Sequence, residues 1–217
     1  MDPIIAPSIL SADFGFLDRD VRMVDESAAG WLHLDIMDGT FVPNISFGFP
    51  VVEAVGGIAR IPMDAHLMTV KPENWFERLS ACGVKMVSFH LEASPRAVRS
   101  NIEKLHALGI SAGVAINPDV PVKRLFPYIG YADFFLVMTV FAGFGGQKFI
   151  YTTIDRVAEL RAEIERRGAS ADIEVDGGVD GANAGPLGEA GATIIVAGSS
   201  VFKSEDPAAT ISSLRRA

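Results

Sequence analysis

The sequence predicts an α/β fold, a single (β/α)8 TIM barrel built around a parallel eight-stranded core. Short apolar runs, several of them rich in Val and Ile, alternate with longer segments of helical period, which is typical of parallel strands joined by crossover helices. Eight such runs occur, and the 217 residues fall within the length range of one barrel, which begins at about 200. No linker or composition shift divides the chain, so we expect one domain over residues 1–217.

The eight apolar runs locate the predicted strands along the chain. In order, they cover residues 4–10, 31–37, 62–68, 86–91, 112–117, 134–140, 172–176 and 193–198. An open doubly wound sheet is the alternative fold. That fold more often shows fewer strands and a single Gly-rich fingerprint after the first of them, so the barrel is favoured.

Two of the segments between strands have a clear helical period and a glycine stop. The segment "PRAVRSNIEKLHALG" has an apolar face that consists of Val98, Ile102, Leu105 and Leu108. The segment "IDRVAELRAEIERRG" has a predicted apolar face of Ile154, Val157, Ala158 and Ile164. Gly109 and Gly168 follow these helices at the position where glycine commonly ends a helix. We expect both apolar faces to pack against the barrel.

Composition and charge exclude several classes of partner. The formal net charge is −8 and the isoelectric point is near 5.0, whereas nucleic acid or an anionic membrane surface would need a basic face. No apolar run approaches the roughly 18 residues of a membrane-spanning helix. We therefore expect no nucleic-acid partner and no membrane association, and an anionic substrate would need a local binding site.

The cysteine content and the first residues indicate the compartment. Cys82 is the only cysteine, so no intrachain disulfide can form, and a reducing compartment is the natural interpretation. The start "MDPIIAPSIL" has no basic region before its apolar run and does not resemble a secretory signal. These features predict a cytoplasmic protein.

Chargeable side chains interrupt three of the predicted strands near their C-terminal ends. Side chains two apart on a strand point the same way, so His33 and Asp35 of "WLHLDIMDG" share a face. Asp64 and His66 in "PMDAHLM" share a face by the same rule, and so do Glu174 and Asp176 in "DIEVDGG". Catalytic groups of a barrel lie at this end of the strands.

Two imidazoles and two carboxylates converging there would suit a divalent cation. The predicted ligands are His33, Asp35, His66 and Asp176, because charges in an interior are costly unless they are paired or bound to metal. A hydrogen-bonded network without metal is the alternative, for example His33 with Asp35 or Asp64 with His66. His90, at the end of the fourth strand, is the next candidate ligand. His106 lies within a helix and is expected to be a surface or packing residue.

Gly-rich turns follow the last three predicted strands. These are "GFGGQ" at residues 143–147, "DGG" at 176–178 and "AGSS" at 197–200. Loops after strands seven and eight of barrels frequently bind phosphate through backbone N–H groups, and glycine permits the close approach. Each turn alone could simply be a tight turn, but three adjacent turns favour a phosphate cradle.

Six motifs in this order resemble those of one known family. "SILSADF", "HLDIMDGTFVPN", "DAHLM", "GFGGQKFI", "EVDGGV" and "AGSSVF" together are similar to ribulose-phosphate 3-epimerases and span nearly the whole chain. The resemblance implies a barrel that interconverts D-ribulose 5-phosphate and D-xylulose 5-phosphate, a step of the pentose phosphate pathway, by inverting carbon 3. It implies one divalent metal ion, with Zn, Fe(II), Mn and Co all suited to the ligands, and a homo-oligomer.

The resemblance also implies roles for individual residues. Asp35 and Asp176 would be the acid/base carboxylates, acting through a metal-stabilised enediolate, and His33, Asp35, His66 and Asp176 the metal ligands. The residues that would contact the phosphorylated ketose are Ser8, Met37, His66, Met68, Met138, Gly143, Phe144, Gly145, Gly146, Gly177, Gly178, Gly198 and Ser199. Ordinary core filling is the alternative for the three methionines.

Three residues depart from the usual pattern of the family. Phe141 and Ala142 stand where the family usually has an Asn-Pro pair, and Val120 stands where it usually has Thr. The first change leaves D-allulose-6-phosphate 3-epimerase as an alternative activity, although "GFGGQ" is kept. A metal-free phosphosugar isomerase or lyase and a non-catalytic phosphosugar-binding barrel are further alternatives. The segment 38–48 could close over the substrate or be an ordinary ordered loop.

Overall fold

A computed structural model describes residues 2–217 and contains a barrel of parallel strands. The strands of this part of the chain are β1 Ile4–Pro7, β2 Leu32–Met37, β3 Met63–Met68, β4 Met86–His90, β5 Ser111–Ile116, β6 Phe134–Met138, β7 Asp172–Asp176 and β8 Ile194–Ala197. They form one sheet in the order β1-β8-β7-β6-β5-β4-β3-β2, with every pair parallel. The predicted eight-stranded parallel core is therefore confirmed.

The two ends of this sheet meet, so that the sheet approaches a closed ring. Ser8 forms a parallel bridge with His33, and the Gly30 N–H donates to the Ile5 carbonyl at 3.0 Å. These contacts bring β1 against β2. All strand C-termini consequently lie around one mouth, as a barrel requires.

Helices alternate with the strands on the outside. They are α1 Leu17–Asp25, α2 Phe49–Gly56, α3 Phe76–Ala81, α4 Val98–Ala107, α5 Thr153–Arg166, α6 Ala184–Glu189, α7 Ser199–Phe202 and α8 Pro207–Arg215. The connection from β5 to β6 departs from the expected strand-helix unit, because it contains two short 3₁₀ helices, Val122–Arg124 and Phe126–Tyr128. Three prolines in the segment 118–127 explain this, since proline lacks the N–H that a longer helix needs.

The predicted apolar faces of α4 and α5 are confirmed with one correction. On α4 the buried apolar residues are Val98, Ile102 and Leu105, with Leu108 packed against them. On α5 Ala158 is exposed, and Leu160 is buried instead. Leu160 lies three residues after Val157 and four before Ile164, which is the spacing that keeps side chains on one helical face.

The hydrophobic core has an outer layer and an inner layer. The outer layer lies between the strands and the helices, and the largest side chains include Phe76 and Phe89. The inner layer fills the lower part of the barrel with Ala6, Met86, Phe134, Ile194 and Val196. A filled lower barrel leaves only the C-terminal mouth to accommodate polar side chains and a ligand.

Candidate metal centre and active site

Most of the predicted site residues line one cavity at the barrel mouth. The predicted residues on its wall are Ser8, Asp35, Met37, Met68, Met138, Gly143, Phe144, Gly145, Gly146, Asp176, Gly177, Gly178, Gly198 and Ser199. His33 and His66 do not form its wall, because both are fully buried behind Asp35. Six strands and the loops that follow them, all distant in sequence, thus bring these residues to one place.

Asp35 lies at the centre of the predicted ligand set. Its Oδ1 is 3.4 Å from His33 Nε2 and 3.3 Å from His66 Nδ1, and Asp176 Oδ2 is 3.7 Å from the same His66 nitrogen. Each of the four residues has a ligand atom within 4.8 Å of those of the others. Ligand atoms that share one tetrahedral zinc-sized cation at about 2.1 Å lie about 3.4 Å apart. The arrangement could therefore hold a metal ion.

An unpartnered nitrogen supports the same interpretation. His33 Nε2 is buried and has no hydrogen-bond partner within the described residues. A buried polar atom without a partner is costly, and a cation would remove that cost. Mixed imidazole and carboxylate ligands suit a divalent transition metal rather than Ca²⁺ or Mg²⁺.

The charges of this cluster create a site that attracts cations. Burial lowers the pKa of His33, but Asp35 and Asp64 outweigh it and raise that pKa well above its usual range. Burial opposes the ionisation of Asp35, yet His33 and His66 outweigh it and lower the pKa of that carboxyl. Burial also lowers the pKa of His66, but the carboxylates of Asp176 and Asp35 outweigh it and raise that pKa. A divalent cation would replace the protons held by the two imidazoles.

A second layer of carboxylates lies deeper in the barrel. His33 Nδ1 donates to Asp64 Oδ2 at 2.6 Å, and Glu174 Oε1 lies 3.5 Å from the same nitrogen. Burial, followed by the charge of Asp64, raises the pKa of Glu174 well above its usual range. When a cation replaces the second imidazole proton, the hydrogen bond to Asp64 keeps the remaining proton on Nδ1, so that Nε2, which faces Asp35, can bind the cation, as in many metal sites.

The pairing of Asp64 differs from the expected network without metal. That alternative paired Asp64 with His66, which lies two residues further along the same strand. In the barrel Asp64 is opposite His33, and His66 is opposite Asp35. The inward-pointing side chains of neighbouring strands meet across this register, so Asp64 contacts the histidine of β2 instead.

Ser8 supports a carboxylate of the cluster. Its hydroxyl donates to Asp35 Oδ2 at 2.5 Å, and it also accepts the Leu10 N–H at the start of a 3₁₀ helix. The predicted strand 4–10 thus ends at Pro7, and the turn that follows aims Ser8 at the site.

The other two histidines lie outside the ligand cluster. His90, expected as a further ligand, has its Nε2 2.9 Å from His66 Nε2 and is not a member of the ligand groups found among residues 2–217. Burial lowers the pKa of His90 to about 4, so it is neutral. His106 is exposed on α4 and bonds Asp133 at 2.8 Å, which confirms its prediction as a surface residue.

Glycine is required where the Gly-rich turns touch one another. Gly178 has a φ of +64°, and a Cβ added there would lie 2.7 Å from the Gln147 carbonyl oxygen. Gly177 and Gly143 also have positive φ, a conformation that other residues adopt at a cost. The turns after β6 and β7 therefore pack backbone against backbone. The residues that line the cavity include no Lys or Arg, so an anionic group there would depend on backbone amides and on neutral side-chain donors such as the Ser199 hydroxyl.

Polar side chains hold the loop after β6 in place. Gln147 Nε2 donates to the carbonyls of Phe141 and Phe144 at 2.6 and 2.8 Å, and Asn44 Nδ2 donates to the Gly143 carbonyl at 2.9 Å. Asn44 belongs to the segment 38–48, which therefore packs against the cavity rim. Phe141 is half-exposed at this rim. Sequence reasoning missed Asn44, because only contact across the barrel mouth reveals its role.

The described residues contain no candidate membrane span. Within the range 2–217 no helix combines the length and the apolar character that crossing a membrane requires.

Solved structures with a similar fold are barrels of distant sequence. KGPDC from Streptococcus mutans matches with a TM-score of 0.73 at 8% identity, covering 100% of this chain and 97% of that one. A 3-hexulose-6-phosphate synthase matches with a TM-score of 0.68 at 17% identity, covering 100% and 99%. At such identities the likeness shows the fold alone.

Curated relatives are far closer in sequence. The ribulose-phosphate 3-epimerase of Synechocystis sp. is 41% identical over 98% of this chain and 93% of its own length. That of Bacillus subtilis is 40% identical, over 97% of both chains. The family model described as the ribulose-phosphate 3 epimerase family matches residues 4–202. This chain therefore belongs to the ribulose-phosphate 3-epimerase family and is an enzyme of the isomerase class.

Proposed function

We propose that this enzyme inverts carbon 3 of D-ribulose 5-phosphate to give D-xylulose 5-phosphate, using Asp35 and Asp176 to exchange the proton. The observation that supports this most is that the two carboxylates, from β2 and β7, reach one cavity and approach the same nitrogen of His66. The curated relatives named for this reaction support the choice of substrate.

Inversion at carbon 3 makes a geometric demand that two carboxylates can meet. The proton next to the ketone must leave from one face of the planar intermediate, and another must return to the opposite face. Strands β2 and β7 lie three steps apart in the order of the barrel, so their side chains approach the mouth from different sides. Because the pKa of Asp35 is lowered, its carboxylate is ionised and able to accept a proton.

The metal site of this proposal consists of His33, Asp35, His66 and Asp176. A Zn, Fe(II), Mn or Co ion held there would supply positive charge to stabilise the negative charge that develops on the substrate oxygens. Ser8 keeps Asp35 oriented through its hydroxyl, and Asp64 keeps His33 oriented through Nδ1.

The substrate phosphate would bind in the cradle of the Gly-rich turns. The residues whose backbone would form this cradle are Gly143, Phe144, Gly145, Gly146, Gly177, Gly178, Gly198 and Ser199. Met37, Met68 and Met138 are almost fully buried on the cavity wall and would shield the reacting carbons from water. The substrate's phosphate thus lies at one end of the cavity and its reacting carbons at the metal end.

Gly178→Ala is expected to lower kcat/KM by about tenfold or more, mainly through a higher KM, because its methyl group displaces the neighbouring turn and strains a left-handed backbone. Steady-state kinetics with ribulose 5-phosphate measure the effect. Gly181→Ala is the matched control, since an added Cβ there meets open space. An unchanged KM for Gly178→Ala would remove the cradle from the proposal.

The reaction itself is tested by proton exchange in deuterated water, followed by NMR, with ribulose 5-phosphate and allulose 6-phosphate in parallel. Deuterium at carbon 3 together with epimer formation from the five-carbon sugar is the expected result. A strong preference for the six-carbon sugar would reassign the substrate and point to Phe141 and Ala142 as its determinants. Binding of both sugars without exchange would contradict catalysis altogether.

A further inference from the structure

A chain of buried and partly exposed polar side chains leads from the candidate metal centre to the loop after β6. His66 Nε2 lies 2.9 Å from His90 Nε2, and His90 Nδ1 lies 3.5 Å from Glu92 Oε1. Both histidines are fully buried, and the ring of Phe41 packs over His90 with a centroid distance of 4.8 Å. Neither Asp35 nor Asp176 requires this chain for proton transfer, so it needs another explanation.

Glu92 is the last member of this series of polar side chains, and it sets the direction of the hydrogen bonds along the series. An ionised carboxylate only accepts hydrogen bonds, and His90 Nδ1 is buried with no other partner within residues 2–217. Contraction of their separation by about 0.5 Å gives an ordinary hydrogen bond. With its proton on Nδ1, His90 must accept at Nε2. His66 must then donate from Nε2, so that Nδ1, which faces Asp35 and Asp176, is the nitrogen that a metal can bind in place of a proton.

Glu92 is also linked, through Asn117, to the wall of the cavity. Its Oε1 accepts hydrogen bonds from the backbone N–H and the side-chain amide of Asn117, at 2.8 and 3.1 Å. Asn117 Oδ1 in turn accepts the Ala142 N–H at 3.0 Å. Ala142 precedes the Gly-rich turn and lines the cavity. The position of that turn therefore depends on Asn117, which Glu92 orients.

A cation from α5 completes this arrangement. Arg156 Nη2 donates to the carbonyls of Asn117 and Val120, at 3.0 and 2.6 Å. Asn117 is thus held from both sides, by an acceptor at its nitrogens and by a donor at its carbonyl.

We propose that Glu92 is a positioning residue with two effects: through His90 it selects the His66 tautomer that can bind metal, and through Asn117 it holds the start of the Gly-rich turn. The inference rests on the proposed metal site, and the roles of His90, Glu92 and Asn117 go beyond it.

The tautomers can be measured directly on the wild-type enzyme. Histidine labelled with ¹⁵N and loaded with Zn²⁺ should show His66 protonated at Nε2 and His90 protonated at Nδ1. Binding of Zn²⁺ with the opposite tautomers would overturn the chain while leaving the metal site intact. Failure of the wild type to bind Zn²⁺ would instead contradict the metal site itself.

Three variants separate the two effects of Glu92. His90→Phe leaves His66 Nε2 without its acceptor, so Zn²⁺ affinity should fall about 10–100-fold, with little change in the KM of the metal-saturated enzyme. Asn117→Ala should raise KM about fivefold or more and leave Zn²⁺ affinity unchanged. Glu92→Gln should change both quantities in the same directions, by smaller factors than the other two variants, because it keeps an oxygen acceptor but loses the charge.

Competition with a chromophoric chelator measures Zn²⁺ affinity, and circular dichroism checks that each variant is folded. Glu103→Gln, on the exposed side of α4, is the control for the loss of a carboxylate. A folded Glu92→Gln variant with wild-type Zn²⁺ affinity and wild-type KM would overturn the proposal. Wild-type Zn²⁺ affinity in His90→Phe would overturn the effect on the His66 tautomer. An unchanged KM in Asn117→Ala would overturn the effect on the Gly-rich turn.

Discussion

Replacing Asp35 or Asp176 by Asn is expected to lower turnover by at least about 10²-fold, the low end of the contribution of general acid-base catalysis. Asn occupies nearly the same space as Asp but cannot accept a proton at neutral pH. Epimerisation needs both a group that removes the proton and a group that returns it, so loss of either carboxylate should stop inversion.

The measurement is kcat on purified protein at saturating metal, with the metal content determined for each variant. This condition matters because both residues are also candidate ligands, and simple metal loss would lower turnover as well. Asp172→Asn is the matched control, since Asp172 is exposed at the opposite end of the same strand as Asp176. Near-normal turnover in either metal-loaded variant would refute the assignment of two carboxylates.

Asp64→Asn is expected to weaken metal binding about 10–100-fold, although Asp64 is not itself a predicted ligand. The carboxylate accepts the His33 Nδ1–H at 2.6 Å and thereby leaves Nε2 free for a metal. An Asn side chain can turn its NH₂ group towards Nδ1. The imidazole proton then moves to Nε2, where it blocks the metal.

Chelator competition with Zn²⁺ measures this effect, and excess metal gives a second test. Because Asp64 acts through His33, turnover of the variant should return towards the wild-type value at high metal concentration. A catalytic residue would show no such recovery. If Asp64→Asn binds Zn²⁺ as tightly as the wild type, the hydrogen bond to His33 does not select its tautomer.

Local sequence patterns were sufficient for much of the site. Side chains two apart on a strand point to the same face, so His33 and Asp35 of "LHLDIM" share one face. The same rule places Glu174 with Asp176. Because parallel strands in a barrel end at one mouth, these residues could be expected to converge before any contact was known. The glycines at 177 and 178 indicated a special backbone, and both do have positive φ.

Contacts between strands could not be read in this way. Whether Asp64 meets His33 or His66 depends on the register of β2 against β3, and the register is set by packing over the whole barrel. The same is true of His90, which looks like a ligand by its place at the end of β4 but has its Nε2 against His66 instead. Glu92 and Asn117 have no distinctive motif, and only the folded structure shows the contacts from which their role is proposed.

The sequence by itself determined the barrel, the family, and which side chains point into the mouth, because strand periodicity, helix faces and glycine turns are local properties. The tertiary structure alone decided how those side chains pair, which histidine nitrogens face the carboxylates, and which polar residues hold the Gly-rich turn. Those pairings depend on the distances between segments that lie far apart in the chain. Such distances follow from the packing of the entire fold rather than from any local pattern.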